Sequence, residues 1–349
     1  MSDFYKLSLA SVDSLTPNAV ALTFAIPDNL KAIFSFEAGQ YITLKHKVNG
    51  EEVRRAYSIS SAPSSGLLTV GIKKVEGGTF SVYANDKIKK GDTLEVMPPD
   101  GRFIFKKNNE QKIVAAFAAG SGITPIVSIA QTVLEANETN KFILVYGNQK
   151  PEEAMYLSNL KELQNKYKDR FFIEEIYSRT NVPDSLFGRI EASTANLIIK
   201  NRYKDFSFDA FYLCGPETMI EAVSTTLKSN GISEDKIHFE LFTSSEIEDS
   251  LAENLEGKTK VKVQVDDEIY DIEMDQKELI LDAVLKEDID APFSCQGGVC
   301  SSCIARVTEG KAEMIKNQIL TDSEIAEGLI LTCQAHPTTP SLKIDYDNV

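Results

Sequence analysis

The sequence predicts a multidomain chain: an antiparallel β-barrel, then an α/β domain on a parallel sheet, then a small α+β domain. Three observations carry that reading. The chain has 349 residues, more than one hydrophobic core usually serves. Its texture changes from short alternating strands to strand–helix alternation near Gln111, and again after an acidic tract. Four of its five cysteines fall in the last 55 residues.

Residues 1–107 contain "LSLASVDSL", "AVALTFAI", "QYITLKHKV", "AYSIS", "LLTVGIKKV" and "DTLEVMPP". These segments are short, part-alternating and punctuated by Gly, Pro, Asn and Asp, which reads as strands. Closing them into a barrel would leave no exposed edge. Residues 108–242 carry continuous apolar runs, "KIVAAFAAG", "KFILVYG", "FFIEEIYS" and "DAFYLCG". Helical patterns such as "TPIVSIAQTVLEA" and "AMYLSNLKELQNKY" separate them, predicting a parallel sheet covered on both faces. Residues 243–257, "TSSEIEDSLAENLEG", have no clear apolar stripe and read as an acidic linker. Residues 258–349 open on "KVKVQVDDEIYDIEM", two strands about a tight acidic turn, followed by the helix "ELILDAVLKE" and a closing strand "SLKIDYD".

The formal net charge of −15 is unevenly placed. Residues 258–349 hold 18 acidic and 9 basic side chains, and residues 243–257 hold 5 acidic and no basic ones. Such a field repels nucleic acid and can steer a basic protein partner; it also serves as a solvated face that maintains solubility. No run of 18 apolar residues suggests a membrane span. The N-terminus lacks the basic start and apolar core of a secretory signal, which predicts a cytoplasmic protein. Disulfides are uncommon there, so clustered cysteines more often bind metal or do chemistry.

Cys295, Cys300, Cys303 and Cys333 are spaced C-x4-C-x2-C-x29-C. Zinc ribbons usually offer two short hooks. Three thiolates in one loop with a distant fourth is instead the plant-type [2Fe–2S] spacing. Zinc in the same fold, or four inert thiols, is the alternative. The last 92 residues thus resemble the plant-type ferredoxins, and the resemblance implies a β-grasp fold.

A one-electron carrier needs a source of electrons. In "RRAYSISSAP", Arg55 can pair with a phosphate, Tyr57 can lie against another ring and Ser58 can donate to a ring nitrogen, although residues of these types also serve packing and surface. In "VEGGTFSVYA", glycines before a helix expose N–H groups suited to an anion. In "FAAGSGITPI", Gly120 and Gly122 end an apolar strand and Thr124 and Pro125 begin a helix, where ligands of open sheets bind. "YLCGPETMI" repeats that arrangement with Cys214 and Gly215.

Together, "RAYSIS", "GGTFS", "AAGSGITPI", "VYGN", "YLCGPETM" and "FELF" resemble the ferredoxin–NADP reductase superfamily over residues 4–242. The resemblance implies that Arg55 binds flavin phosphate, Tyr57 stacks on the isoalloxazine and Ser58 lies near its N5. It implies pyrophosphate binding by Gly78 and Ser81, and nicotinamide-nucleotide binding by Gly120, Gly122 and Thr124. Cys214 and Gly215 would sit beside the nicotinamide. Glu240 resembles the family's acidic residue and Phe242 its ring-covering aromatic, here followed by more chain. Ser58, Cys214 and Glu240 are the implied catalytic group.

The domain order is similar to that of reductase components of bacterial oxygenase systems, among them those serving phenylacetyl-CoA epoxidases and ketosteroid hydroxylases. It implies an enzyme carrying electrons from NADPH through FAD and [2Fe–2S] to a di-iron oxygenase or similar acceptor. The "GGTFS" and "PPDGRFIF" stretches favour FAD over FMN. Ser178 and Arg179 in "IYSRT", with Arg189 as a second cation, favour NADPH, with NADH the alternative. Other acceptors are a ring-hydroxylating or steroid oxygenase, a desaturase or a hybrid-cluster protein. The competing class is a non-enzymatic electron-transfer module with a vestigial nucleotide crevice.

Overall fold

The computed structural model describes residues 4–108, 110–242 and 249–349. The chain divides into two compact units. The larger comprises residues 5–53 and 57–242; the smaller is built chiefly on residues 249–349.

The larger unit contains two sheets. The first has strands β1 (Tyr5–Thr16), β2 (Ala19–Ala25), β3 (Tyr41–Val48), β4 (Glu51–Ser58), β5 (Leu68–Lys73) and β6 (Thr93–Val96), in the order β4-β3-β6-β1-β2-β5. Alternation places Leu7 and Leu9 of β1 inside, with Leu22, Ile42, Leu44, Val70 and Val96. Each such side chain contributes about 2–5 kcal/mol against truncation to alanine. The sequence reading expects a barrel. The ladders form an open series of six strands, and its two ends meet only at an isolated antiparallel bridge, Ile59 to Val70. Helix α1 (Thr79–Asp86) follows Gly77 and Gly78 and buries Phe80 and Ala84.

The second sheet is parallel: β7 (Ile113–Ala119), β8 (Lys141–Asn148), β9 (Phe171–Tyr177), β10 (Leu186–Phe187), β11 (Ala210–Cys214) and β12 (Ile237–Glu240), ordered β10-β9-β8-β7-β11-β12. Val114 to Ala118 of β7 are fully buried, which is why this strand reads as an unbroken apolar run. Helices α2 (Ile123–Ala136), α3 (Leu157–Lys166), α4 (Ala192–Asn196) and α5 (Glu217–Ser229) connect the strands. The chain winds outward from β7 to β10, then returns to β11 on the other side of β7. That reversal is a topological switch point, where open sheets bind ligands beyond their strand ends.

The smaller unit begins with a one-turn helix, α6 (Ser250–Asn254), inside the tract that composition reads as linker; residues 243–248 of that tract lie outside the described residues. Its five-stranded sheet runs β14-β13-β19-β15-β17, from β13 (Lys258–Val265), β14 (Glu268–Asp275), β15 (Ile304–Glu309), β17 (Leu329–Leu331) and β19 (Ser341–Asp345). β16 (Ala312–Met314) pairs with β18 (Ala335–Pro337). Helix α7 (Ile280–Lys286) buries Ile280, Leu281, Ala283 and Val284, and α8 (Asp322–Ala326) is closed by a Thr321–Glu324 capping box. The acidic turn joining β13 and β14 puts Asp266 and Asp267 at φ 55° and 61°, and their N–H groups donate to the Asp347 carboxylate at 2.8 and 3.0 Å.

Candidate functional site

The carboxyl ends of β7 and β11 lie side by side, Cys214 being paired with Ala118 and, on its other side, with Glu240 of β12. A Cβ on Gly122 would stand 2.1 Å from the Cys214 carbonyl oxygen. Only glycine therefore lets the turn after β7 close against β11. Thr124, 2 % exposed, fastens the same turn by donating to Ser121 O at 3.0 Å. A Cβ on Gly215 would likewise meet the Ala119 backbone nitrogen at 3.2 Å. The two glycine turns thus form one crevice floor.

Ser58, the last residue of β4, donates its hydroxyl to Glu240 Oε2 at 3.1 Å. Glu240 as a residue keeps some solvent exposure, but its carboxyl is enclosed. Burial pushes that carboxyl up to about 8, against a smaller lowering by the Ser58 hydrogen bond. Cys214 is fully buried. Burial, and then the neighbouring Glu240 charge, push its thiol well above the usual range. It is a neutral lining group rather than a thiolate nucleophile. Ser58, Cys214, Glu240, Gly122, Thr124 and Gly215 are thereby brought together.

The other predicted residues surround this group or stand apart from it. Tyr57 packs against Phe80, ring centroids 5.7 Å apart. Gly78 precedes α1, and the Ser81 hydroxyl accepts from Val75 N–H at 3.1 Å, closing the Gly-Gly turn. Gly120 adopts φ 56°, and Lys73 Nζ lies 3.7 Å from where its Cβ would be, so an ammonium faces the turn that opens α2. Arg55 is exposed, with Nη1 donating to Arg54 O. Ser178 and Arg179 follow β9, their amides donating to Asn148 O and Gln149 O, each at 3.0 Å. Arg179 is exposed, as is Phe242 at 37 %.

In the smaller unit the four C-terminal cysteines share hydrogen bonds. Cys300 and Cys333 both interact with Cys295, and Cys333 also with Cys303. Donation from Cys300 and then Cys333 holds the Cys295 thiol down, and donation from Cys333 does the same for Cys303. Cys300, Cys303 and Cys333 are nearly or fully buried. The two parts of the array are tied together: Thr332 N and Oγ1 both donate to Cys303 O, and Gln334 Nε2 donates to Gln296 O at 3.2 Å. Among the described residues, no three His, Cys, Asp or Glu side chains form a compact site for a single metal ion. The fifth cysteine, Cys214, belongs to the crevice of the other unit. Gln334, like Lys73, carries no motif that single-sequence reading could use.

These features fit the groups the sequence implies. A glycine turn faced by an ammonium suits a nucleotide phosphate, and four clustered thiols suit an iron–sulfur cluster. Three family models match in order: the oxidoreductase FAD-binding domain over residues 6–105, the oxidoreductase NAD-binding domain over 117–225, and the 2Fe-2S iron-sulfur cluster binding domain over 263–338. The chain belongs to the family of NAD(P)H-dependent flavin and iron–sulfur reductases that joins these three modules. Within it, the chain is similar to the E subunit of 1,2-phenylacetyl-CoA epoxidase from Escherichia coli (strain K12), at 37 % identity over 99 % of both chains. It is 32 % identical to the ferredoxin reductase component of 3-ketosteroid-9-alpha-monooxygenase from Rhodococcus rhodochrous, over 97 % of this chain and 96 % of that one. Phthalate dioxygenase reductase shares the fold, with a TM-score of 0.62 at 22 % identity over 98 % of each chain. So does an intact type IV self-sufficient cytochrome P450 monooxygenase, with a TM-score of 0.71 at 20 % identity over 98 % of this chain and 41 % of that one. No described helix is long and apolar enough to cross a membrane.

Proposed function

We propose that the chain is the reductase of a multicomponent oxygenase, drawing on NADPH and delivering single electrons to a di-iron enzyme of the phenylacetyl-CoA epoxidase type. The observation that carries this is the end-to-end 37 % identity with the E subunit of the epoxidase. A steroid oxygenase is the second reading, favoured by the 32 % identity with the ketosteroid monooxygenase reductase. In this reading residues 1–107 form an FAD-binding barrel closed at the Ile59–Val70 bridge, and residues 108–242 the nucleotide domain. The acidic segment 243–257 precedes residues 258–349, a ferredoxin-type domain. The proposed setting is the cytoplasm.

When bound, NADPH supplies a hydride, FAD accepts it and releases electrons singly, and the cluster carries one at a time. The chain's residues divide the remaining work. Arg55 pairs with flavin phosphate, Gly78 and Ser81 with its pyrophosphate, and Tyr57 and Phe242 flank its ring. Gly120, Gly122, Thr124 and Gly215 seat the nicotinamide nucleotide, while Ser178 and Arg179 take its 2′-phosphate. With its carboxyl pushed up to about 8 by burial, Glu240 is mostly protonated at neutral pH beside the Ser58 hydroxyl. The pair therefore offers a proton and a hydroxyl beside the reacting rings without placing a negative charge there. Cys214 supplies a neutral wall. Cys295, Cys300, Cys303 and Cys333 hold the cluster.

The test is reconstitution of purified protein with NADPH and the phenylacetyl-CoA oxygenase, measuring epoxide formed. The expected result is turnover that depends on all components and slows with added salt, while dye reduction is nearly salt-independent. Support of a steroid or ring-hydroxylating oxygenase, with no epoxidation, would replace the leading partner.

A further inference from the structure

Tyr156 is the residue just before α3, and it is the most unusual buried backbone position in the larger unit. It adopts φ 59°, ψ 13°, a left-handed conformation that bulky residues rarely take and that persists only when surroundings over-determine it. It is 8 % exposed. Its hydroxyl lies 2.8 Å from Ser60 Oγ. Ser60 commits its own proton to Thr69 O at 3.1 Å, so Tyr156 is the donor. Burial keeps that phenol protonated.

The surroundings are built for this contact. A Cβ on Gly71 would come within 2.7 Å of the Tyr156 hydroxyl and 2.9 Å of Thr124 Cγ2, so the glycine of β5 makes room for both. The next residue of the β4–β5 corner is also tied down: fully buried Ser128 of α2 donates to Ser61 O at 2.7 Å. On the other side, the Tyr146 hydroxyl lies 3.1 Å from Met155 O and 3.3 Å from Gly120 O. The Met155–Tyr156 turn therefore touches the Gly120 turn through Tyr146 and the segment following Ser58 through Ser60.

We propose that Tyr156 is a positioning residue for hydride transfer. Its hydroxyl latches the end of β4, which carries Tyr57 and Ser58, to the turn that supports the Gly120–Thr124 nucleotide loop, fixing how the flavin side and the nicotinamide side face each other. The proposal rests on the flavin and nucleotide reading above. The latch stands two residues from Ser58, so it acts on the Ser58–Glu240 pair through the chain rather than by touching either cofactor.

The experiment compares FAD-loaded, full-length Tyr156→Phe, Ser60→Ala and the double variant with the unsubstituted protein. Anaerobic rapid mixing with NADPH gives the limiting rate of flavin reduction and the nucleotide dissociation constant. The long-wavelength absorbance of the flavin–nicotinamide pair reports ring alignment. Either single change is expected to slow reduction about tenfold and weaken that absorbance, with nucleotide affinity, FAD content and melting temperature nearly unchanged. The double variant should be no slower than Ser60→Ala, which already removes the Tyr156 bond along with the Thr69 one. Hydrogen exchange at residues 57–61 should quicken in Tyr156→Phe with or without FAD, which reads the latch even if the cofactor assignment fails. Unchanged reduction rates and absorbance would overturn the proposal, as would a rate loss that merely follows lost FAD or weaker nucleotide binding.

Discussion

Ser58 and Glu240, separated by 182 positions in the chain, meet through a 3.1 Å hydrogen bond in which the serine hydroxyl donates. The bond joins the last residue of β4 to the last residue of β12 and is one direct link between the two halves of the crevice. It also sets the state of the carboxyl, since Ser58 partly offsets the effect of burial. Ser58→Ala is therefore expected to move Glu240 further up from about 8, read by infrared absorbance of its carboxyl group across pH.

The same group makes stability depend on pH. Glu240 ordinarily titrates near 4.5, and in the folded chain near 8. Between those values the native state holds a proton that the unfolded state has lost, so stability falls as pH rises through this window. Flavin-free Glu240→Gln should lose less stability than the unsubstituted protein between pH 4.5 and 8, by about 4 kcal/mol. Denaturant melts at several pH values check this; parallel curves would refute it.

Gly122→Ala places a methyl 2.1 Å from a backbone carbonyl that no rotamer can move. We expect a loss of roughly 3 kcal/mol or more, with nucleotide binding lost before flavin binding. Thermal melts and fluorescence titration with each cofactor measure the two effects.

Serine at any one of Cys295, Cys300, Cys303 or Cys333 should lower iron and acid-labile sulfide well below two of each per chain. Cys214→Ser should leave both unchanged, since that thiol lies in the other unit. One zinc per chain without sulfide would replace the cluster assignment.

Arg179→Ala should reduce the preference for NADPH over NADH by about tenfold, as expected when a phosphate loses a charge-assisted donor. The ratio of kcat/KM values with a dye acceptor measures it. Unchanged selectivity would reassign the exposed Arg179 side chain to solvent.

His336 is fully buried, with Nδ1 facing the carbonyls of Gln276 and Glu278 at 3.1 and 3.0 Å and Nε2 facing Asp249 Oδ2 at 2.9 Å. Both ring nitrogens thus lie within hydrogen-bonding distance of oxygen atoms. Asp249 also caps α6 by accepting from Ala252 N at 3.0 Å. Asp249→Ala should cost about 1–2 kcal/mol and speed hydrogen exchange at Ala252.

The legibility of this chain follows the range of its interactions. Buried parallel strands read as apolar runs because both faces are covered, so β7, β8 and β11 were visible in the sequence. The spacing of Cys295, Cys300 and Cys303 was visible because one loop holds all three. The strands of the first sheet were visible too, but the barrel expected from them was not found: the ladders form an open series of six, because strand patterns do not say whether the end strands pair. Tyr156 was hidden inside a helical pattern, "AMYLSNLKEL": nothing local marks its left-handed backbone, and its partners Ser60 and Gly71 are distant in sequence. Helix α6 was hidden for a similar reason. Its cap is local, but the histidine that anchors that cap is 87 residues away.

Strand β14 is the outermost in its sheet, with β13 on one side only, and Ile269 on it is 59 % exposed. An unpaired edge of this kind is a template for a second copy of the chain. Glu268, Asp271, Glu273 and Asp275 line the strand, and a copy pairing there would bring like charges together. Glu273 and Asp271 are partly offset by Lys258 and Lys262 of β13, and the like-charge repulsion that remains would be lost when the carboxylates are neutralised. Acid or concentrated salt should release edge-to-edge growth of ordered, dye-binding assemblies from this strand, and a lysine at position 269 should suppress it.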